Sequence, residues 1–308
     1  MRTLVSLAAG VAVFASLATA ATAADPAPPT VVPFPAPTLG PVFVAAQTVD
    51  RTGAMQGQFA PGSSVVFRAY AVDSKTHKTV VAKDAKYFYV AIPNQPNVKL
   101  KYDPKASGAS GQLVWTGTWA IPTSYPLGTV AFKVLVKTQS KRIGQFVQLP
   151  VAPAMLTITA TPQATFGNGP TPATASVAAV SNTDVALYVD TVNGTQPVGA
   201  PKRPVGCTQT NVYKRGEQIV LRTWGFDLAA GQVLSTDNID TATYSIPGQA
   251  AATLNYGAHG ATGAKVWFWS SPWIVPVAFP LGDVTIHITF KTDSGKTGTY
   301  DHIVTIIP

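Results

Sequence analysis

The amino-acid sequence predicts an all-β chain built from two tandem copies of one β-sandwich. Three observations predict it: a long internal repeat, short runs of alternating apolar and polar residues, and dense turn punctuation. The repeat carries most weight. Shifting the chain by 154 residues lays positions 59–151 on 213–305 without a gap. Gly62 falls on Gly216, Arg68 on Arg222, Asp73 on Asp227 and Gly144 on Gly298. Trp115 and Trp119 fall on Trp269 and Trp273, and Pro126-Leu127-Gly128 on Pro280-Leu281-Gly282.

Each copy reads as strands. Val65 to Val72 and Ile219 to Phe226 are rich in β-branched and aromatic residues. Thr129 to Lys137 and Asp283 to Lys291 set polar residues at alternate positions, the period of a sheet with one face on a core. Turn signals such as Pro61-Gly62 and Asp293-Ser294-Gly295 separate the runs, and no stretch sustains a helical period. Proline and glycine together number 51, which fits short strands joined by tight turns rather than helices.

The N-terminus predicts export. Met1-Arg2-Thr3 precedes an apolar run from Leu4 to about Ala20, and small residues follow. That pattern is a secretory signal peptide over residues 1–23, with cleavage near Ala23 or Ala24. Residues 24–41 are a proline-rich arm, because proline at that density opposes sheet pairing. The domains then run 42–153 and 183–308, joined by a Pro/Thr/Ala-rich linker over 154–182. The one cysteine, Cys207, excludes an internal disulfide, so the sandwiches stand on packing alone. It reads as a small apolar residue at a strand start.

The pattern Gly62-x-x-Val65-x-Phe67-x-Ala69-x-Ala71-x-Asp73 resembles the second-strand signature of bacterial immunoglobulin-like repeats. Trp119-x-x-Pro122 followed by Pro126-Leu127-Gly128-x-Val130-x-Phe132 is similar to their final hairpin. Both copies carry both patterns. The resemblance implies two tandem immunoglobulin-like β-sandwiches of an exported or cell-envelope protein. The tryptophan pairs and the long loop from Asp103 to Gly111 depart from those repeats.

Composition excludes much chemistry. There is one glutamate, Glu217, against thirteen aspartates, which makes a two-carboxylate glycosidase site a poor fit. The pairs Asp73 with Asp84 and Asp227 with Asp237 read more readily as turn residues, and Asp73 has a calcium loop as its alternative. His77, His259, His287 and His302 do not recur between copies and lack zinc spacing. No nucleophile elbow or phosphate-binding glycine loop is present. The expectation is a protein that is not an enzyme and holds no cofactor or metal. A formal charge of +8, or +7 without Arg2, is spread over a chain with only 12% charged residues. That suits an anionic or polysaccharide partner better than nucleic acid.

Two groups of residues are candidates for binding. If Val65, Phe67, Ala69 and Ala71 face the core, then Arg68 and Tyr70 face outward, as do Arg222, Trp224 and Phe226 in the second copy. That face is too apolar for solvent, so the other domain, a loop or a partner covers it. An arginine beside an aromatic two residues on allows guanidinium–ring stacking. The second group is Trp267, Trp269 and Trp273, which share one strand face and serve either as core anchors or as a sugar platform. The functional expectation is a secreted or periplasmic scaffold for an exported protein or cell-envelope polymer. It has no membrane-spanning segment after cleavage. The alternatives are a carbohydrate-binding module using the second-copy tryptophans, or an accessory subunit of an exported enzyme.

Overall fold

A computed structural model describes residues 40–103, 114–147, 155–162, 184–200, 203, 206–260 and 265–308. The predicted signal peptide and most of the predicted proline-rich arm lie outside the described residues, as does most of the predicted linker. The described residues lie within one compact unit. Described regular structure is all strand, as the alternation predicts.

Each copy is a sandwich of immunoglobulin-like strand order. In the first, one sheet runs Val42–Val49, Ser64–Asp73, Val114–Ala120, Lys101–Asp103. The facing sheet runs Ile143–Val147, Lys133–Thr138, Ala85–Ala91, Val98–Lys99. In the second copy the corresponding sheets are Val185–Asn193, Gln218–Asp227, Val266–Ile274, Asn255–His259 and Val212–Lys214, Thr297–Ile307, Gly282–Thr292, Ile239–Ser245, Ala252–Thr253. Between the sheets lie the alternate residues predicted to point inward. Val65, Phe67, Ala69 and Ala71 meet Phe88, Val134 and Val136 in one core, and Ile219 and Leu221 meet Ile286, Ile288 and Phe290 in the other.

The repeat extends beyond its gapless stretch. Val42 pairs with Asp73 and Val185 with Asp227, so the first strands correspond at a shift of 143 rather than 154. The second copy therefore inserts eleven residues after its first strand, and Cys207 lies in this insertion. Cys207 is exposed, with φ of +56°. It occupies a left-handed position in a loop rather than the expected strand start, and its amide donates to Asn193 O at 2.7 Å. At the other end Thr129 pairs with Thr157 whereas Asp283 pairs with Thr305. The first copy thus carries six more residues between Thr129 and Thr157 than the second carries between Asp283 and Thr305. Thr157–Ile158, inside the stretch assigned to the linker, pairs with Gln58–Phe59 and Gly128–Thr129 and belongs to the first sandwich.

Two equivalent glycines close the sandwiches. The first strand of each copy runs against the last strand of the facing sheet. A Cβ on Gly144 would stand 2.8 Å from Val42 Cβ, and one on Gly298 would stand 2.7 Å from Val185 Cβ. Real Cβ atoms do not approach backbone-anchored carbons this closely, so the strands must part if either glycine gains a side chain. Gly298→Ala is expected to lower stability by about 1–3 kcal/mol, the usual cost of overpacking. A urea midpoint that matches wild type would contradict this close approach.

Candidate functional site

The outward face of the Ser64–Asp73 and Gln218–Asp227 strands is covered by the other sandwich. Phe43, Ala45, Tyr70 and Val72 of the first copy form one buried cluster with Ala186, Tyr188, Trp224, Phe226 and Phe268 of the second. Phe43 meets Phe226 at 5.0 Å between ring centroids, and Phe146 meets Tyr188 at 5.6 Å. Polar groups join across the seam. Tyr70 Oη donates to Leu187 O, Gln47 Nε2 donates to Val189 O at 2.9 Å, and Met55 N donates to Asn211 Oδ1 at 2.8 Å. Burial pushes the Tyr70 hydroxyl well above the ordinary tyrosine range. Of the alternatives open from sequence, the structure shows domain–domain cover. Tyr70 and Trp224 are therefore inside the molecule and do not offer a ligand surface.

Arg222 is buried beside them. Its Nε and guanidinium nitrogen each donate to Asp190, at 2.6 Å to Oδ1 and 2.6 Å to Oδ2. Tyr188 Oη and Gln209 Nε2 donate to the same Oδ2, at 3.0 and 2.9 Å. The guanidinium lies 5.6 Å from the Trp224 ring and 5.8 Å from Phe268, so the expected stacking is present. Burial alone would lower the Arg222 pKa, but the Asp190 carboxylate outweighs it and holds the group above its ordinary value. In the first copy the residue opposite Arg68 is Gln47, not an aspartate. Arg68 is partly buried, and desolvation lowers its pKa against the pull of Asp103 and Asp50.

The tryptophans divide. Trp115 and Trp269 are equivalent core anchors: Trp115 Nε1 donates to Val80 O and Trp269 Nε1 to Leu234 O, both at 2.9 Å. Trp273 packs half-buried, edge-on to Phe279 at 5.2 Å. Trp267 is 56% exposed, with Tyr256 beside it at 5.5 Å and a 33° interplanar angle. Three coplanar indoles do not form, because Trp269 and Trp273 turn into the core that needs their area. What stands at the surface is the pair Trp267–Tyr256.

The candidate catalytic acids have structural partners. Asp73 Oδ1 accepts the amides of Lys75 and Thr76 at 3.0 and 3.1 Å, and its carboxylate pairs with Arg142. Asp227 repeats this with Ala229 and Ala230 at 3.0 and 2.9 Å and with Lys296 at 2.7 Å. Burial opposes ionisation of Asp227, yet the hydrogen bonds from Lys296 and Ala230 prevail and hold its carboxyl below the usual range. Glu217 is buried under a two-pronged contact from Arg203 at 2.7 and 2.6 Å. The carboxylate at each turn is paired with a guanidinium or an ammonium. Among the described residues no group of three metal-ligating side chains converges.

One concavity was not foreseen. A groove of about 650 Å³ lies at the edge of the first sandwich, lined by Gln95, Asn97, Lys99, Lys101, Thr118 and Trp119 among others. Sequence reading passed over it because its lysines and amides come from two segments joined only by the sheet-to-sheet crossing near Leu100. Leu100 Cδ2 would lie 2.7 Å from a Cβ at position 117, which is why a glycine stands there.

No protein family model matches the chain. No curated protein matches it either. Among solved structures it is similar to the fibronectin(III)-like modules of Clostridium thermocellum CbhA, at 8% identity and TM-score 0.22, covering 86% of this chain and 93% of that one. The C-terminal domain of the Streptococcus agalactiae antigen I/II polypeptide BspA matches at 9% identity and TM-score 0.21, covering 86% and 100%. SGBP-B of the Bacteroides ovatus mixed-linkage glucan utilization locus, in complex with a mixed-linkage heptasaccharide, matches at 11% identity and TM-score 0.18, covering 82% and 43%. The class defined by the strand order is a tandem immunoglobulin-like β-sandwich protein. That assignment rests on the topology rather than on these distant matches.

Proposed function

We propose that the chain is a non-catalytic exported binding protein. Its two sandwiches act as one rigid scaffold toward an envelope or secreted protein partner. The observation that carries this reading is the use of the carboxylates: Asp73, Asp190, Glu217 and Asp227 are each held by an arginine or lysine. Groups so neutralised serve packing and turns rather than general acid–base work. The shared aromatic seam supports the scaffold part, because it fixes how both sandwiches face a partner. The signal peptide predicted over residues 1–23 supports export. Pulldown with the mature chain from an envelope or secreted extract is expected to recover a specific partner. Recovery of nothing, with wild-type growth of a deletion strain, would remove the reading.

The exposed Trp267–Tyr256 pair favours a second reading, a polysaccharide contact. Titration with envelope polysaccharides should then change tryptophan fluorescence. Trp267→Ala is expected to weaken such binding about 30-fold, the loss typical of an aromatic contact residue, while leaving the thermal midpoint unchanged. An identical response in the variant would eliminate the pair as a contact.

A further inference from the structure

We propose that the groove on the first sandwich binds an extended acidic peptide segment of a partner protein, added as a strand to the open edge at Gly117–Ala120. The hydrogen-bond alternation defines that edge. Ile121 N donates to Ser63 O at 2.9 Å. Positions 117 and 119 therefore exchange hydrogen bonds with the Ser64–Asp73 strand, and the N–H and C=O of Thr118 and Ala120 point away from it. On that far side Lys101–Asp103 pairs only with Val114, Trp115 and Thr116. Among the described residues no strand pairs with Gly117–Ala120 on that side; Val98–Lys99 passes close to Gly117 but pairs with Ala85–Ala91 instead. The groove lies along this stretch. An edge with outward backbone groups inside a groove is the geometry of strand addition, in which main-chain bonds give affinity and side chains give selectivity.

Charge selects the occupant. Lys99 and Lys101 line the groove, and none of the described lining residues is acidic. Trp119 also lines it, with its ring packed into the core.

The second copy is an internal control. Its alternation is the same, with Val275 N donating to Glu217 O at 3.0 Å. Thr118 is replaced there by Pro272, which has no N–H and stands exposed on the edge. Lys99 and Lys101 become Thr253 and Asn255. A proline on a free edge is a common guard against unwanted pairing. One copy is guarded and uncharged, whereas the other keeps its donor and gains two cations.

This inference rests on the binding reading above and fails separately from it. The probe is a short, end-blocked, fluorescein-labelled peptide of alternating threonine and glutamate, titrated into the full chain and followed by anisotropy. A threonine–lysine peptide is the control. Saturable binding of the glutamate peptide alone is expected, with slowed amide exchange at Thr118 and Ala120. Thr118→Pro, which copies the second sandwich, should weaken binding about tenfold or more without altering the thermal midpoint. The double variant Lys99→Thr, Lys101→Asn should weaken it and flatten its dependence on salt. The inference is overturned if the glutamate peptide does not bind, or if it binds Thr118→Pro as tightly as wild type. A natural partner recovered by pulldown that ignores Thr118→Pro would keep the binding reading and overturn the edge.

Discussion

Asp190→Ala is expected to destabilise the protein by about 3–5 kcal/mol, the usual cost of stranding one member of a buried ion pair. Asp190 and Arg222 are almost wholly inside, and three side chains converge on the carboxylate. Removing it leaves a guanidinium with no anion, against the rings of Trp224 and Phe268. The cost comes from desolvated charge rather than from lost volume. The double variant Asp190→Leu, Arg222→Met should therefore recover most of the loss, since replacing both partners by apolar groups is often near neutral. Urea unfolding of the three proteins measures both effects. A single variant within about 1 kcal/mol of wild type would mean that water reaches Arg222.

Acid should weaken the fold well above the carboxylate range. His302 is fully buried, and burial pushes its pKa down to about 4 against the pull of the Asp190 charge. Thr191 Oγ1 donates its proton to Thr210 O at 2.6 Å, so His302 Nε2, 3.1 Å away, donates to the hydroxyl oxygen. Nδ1 is then a bare buried acceptor with no partner. The unfolded chain takes up a proton near pH 6.5 and the folded one only near 4. Protonation therefore favours unfolding between those values. Stability is full above about pH 6.5 and falls by about 3 kcal/mol on descending to pH 4. His259 adds to the same slope, because burial and the nearby Arg222 charge lower it too. Asp227, held below its ordinary value, adds a further loss only at lower pH. In His302→Gln the slope between pH 6.5 and 4 should fall, leaving the part that His259 contributes; a slope equal to wild type would place its origin elsewhere.

Particular residues show what the sequence carried. The inward set Val65, Phe67, Ala69 and Ala71 was legible because strand alternation is a local property. Gly144 and Gly298 were legible as a repeated pair, although not the reason for them, since the Val42 and Val185 backbones that demand glycine lie far along the chain. The first strands, VFVAAQTV and VALYVDTV, escaped the repeat because the eleven-residue insertion put them out of register. With them went Asp190, the partner of Arg222, and Thr191, the partner of His302. The tryptophans were legible as a shared feature but not as a divided one. Sharing a strand face does not say how much core lies beneath each position.

By itself the sequence determined two copies of one all-β sandwich, the face each strand turns to its core, and the presence of an apolar outer face in need of cover. Those follow from period, turn residues and duplication, which are encoded within a few residues of each other. Only the tertiary structure decided that the cover is the other sandwich, that Trp267 alone among the second-copy tryptophans stands well exposed, and that no described strand pairs beside Thr118 in the first copy. Each of these depends on which distant segments meet, and burial and strand pairing are properties of that meeting rather than of any residue alone.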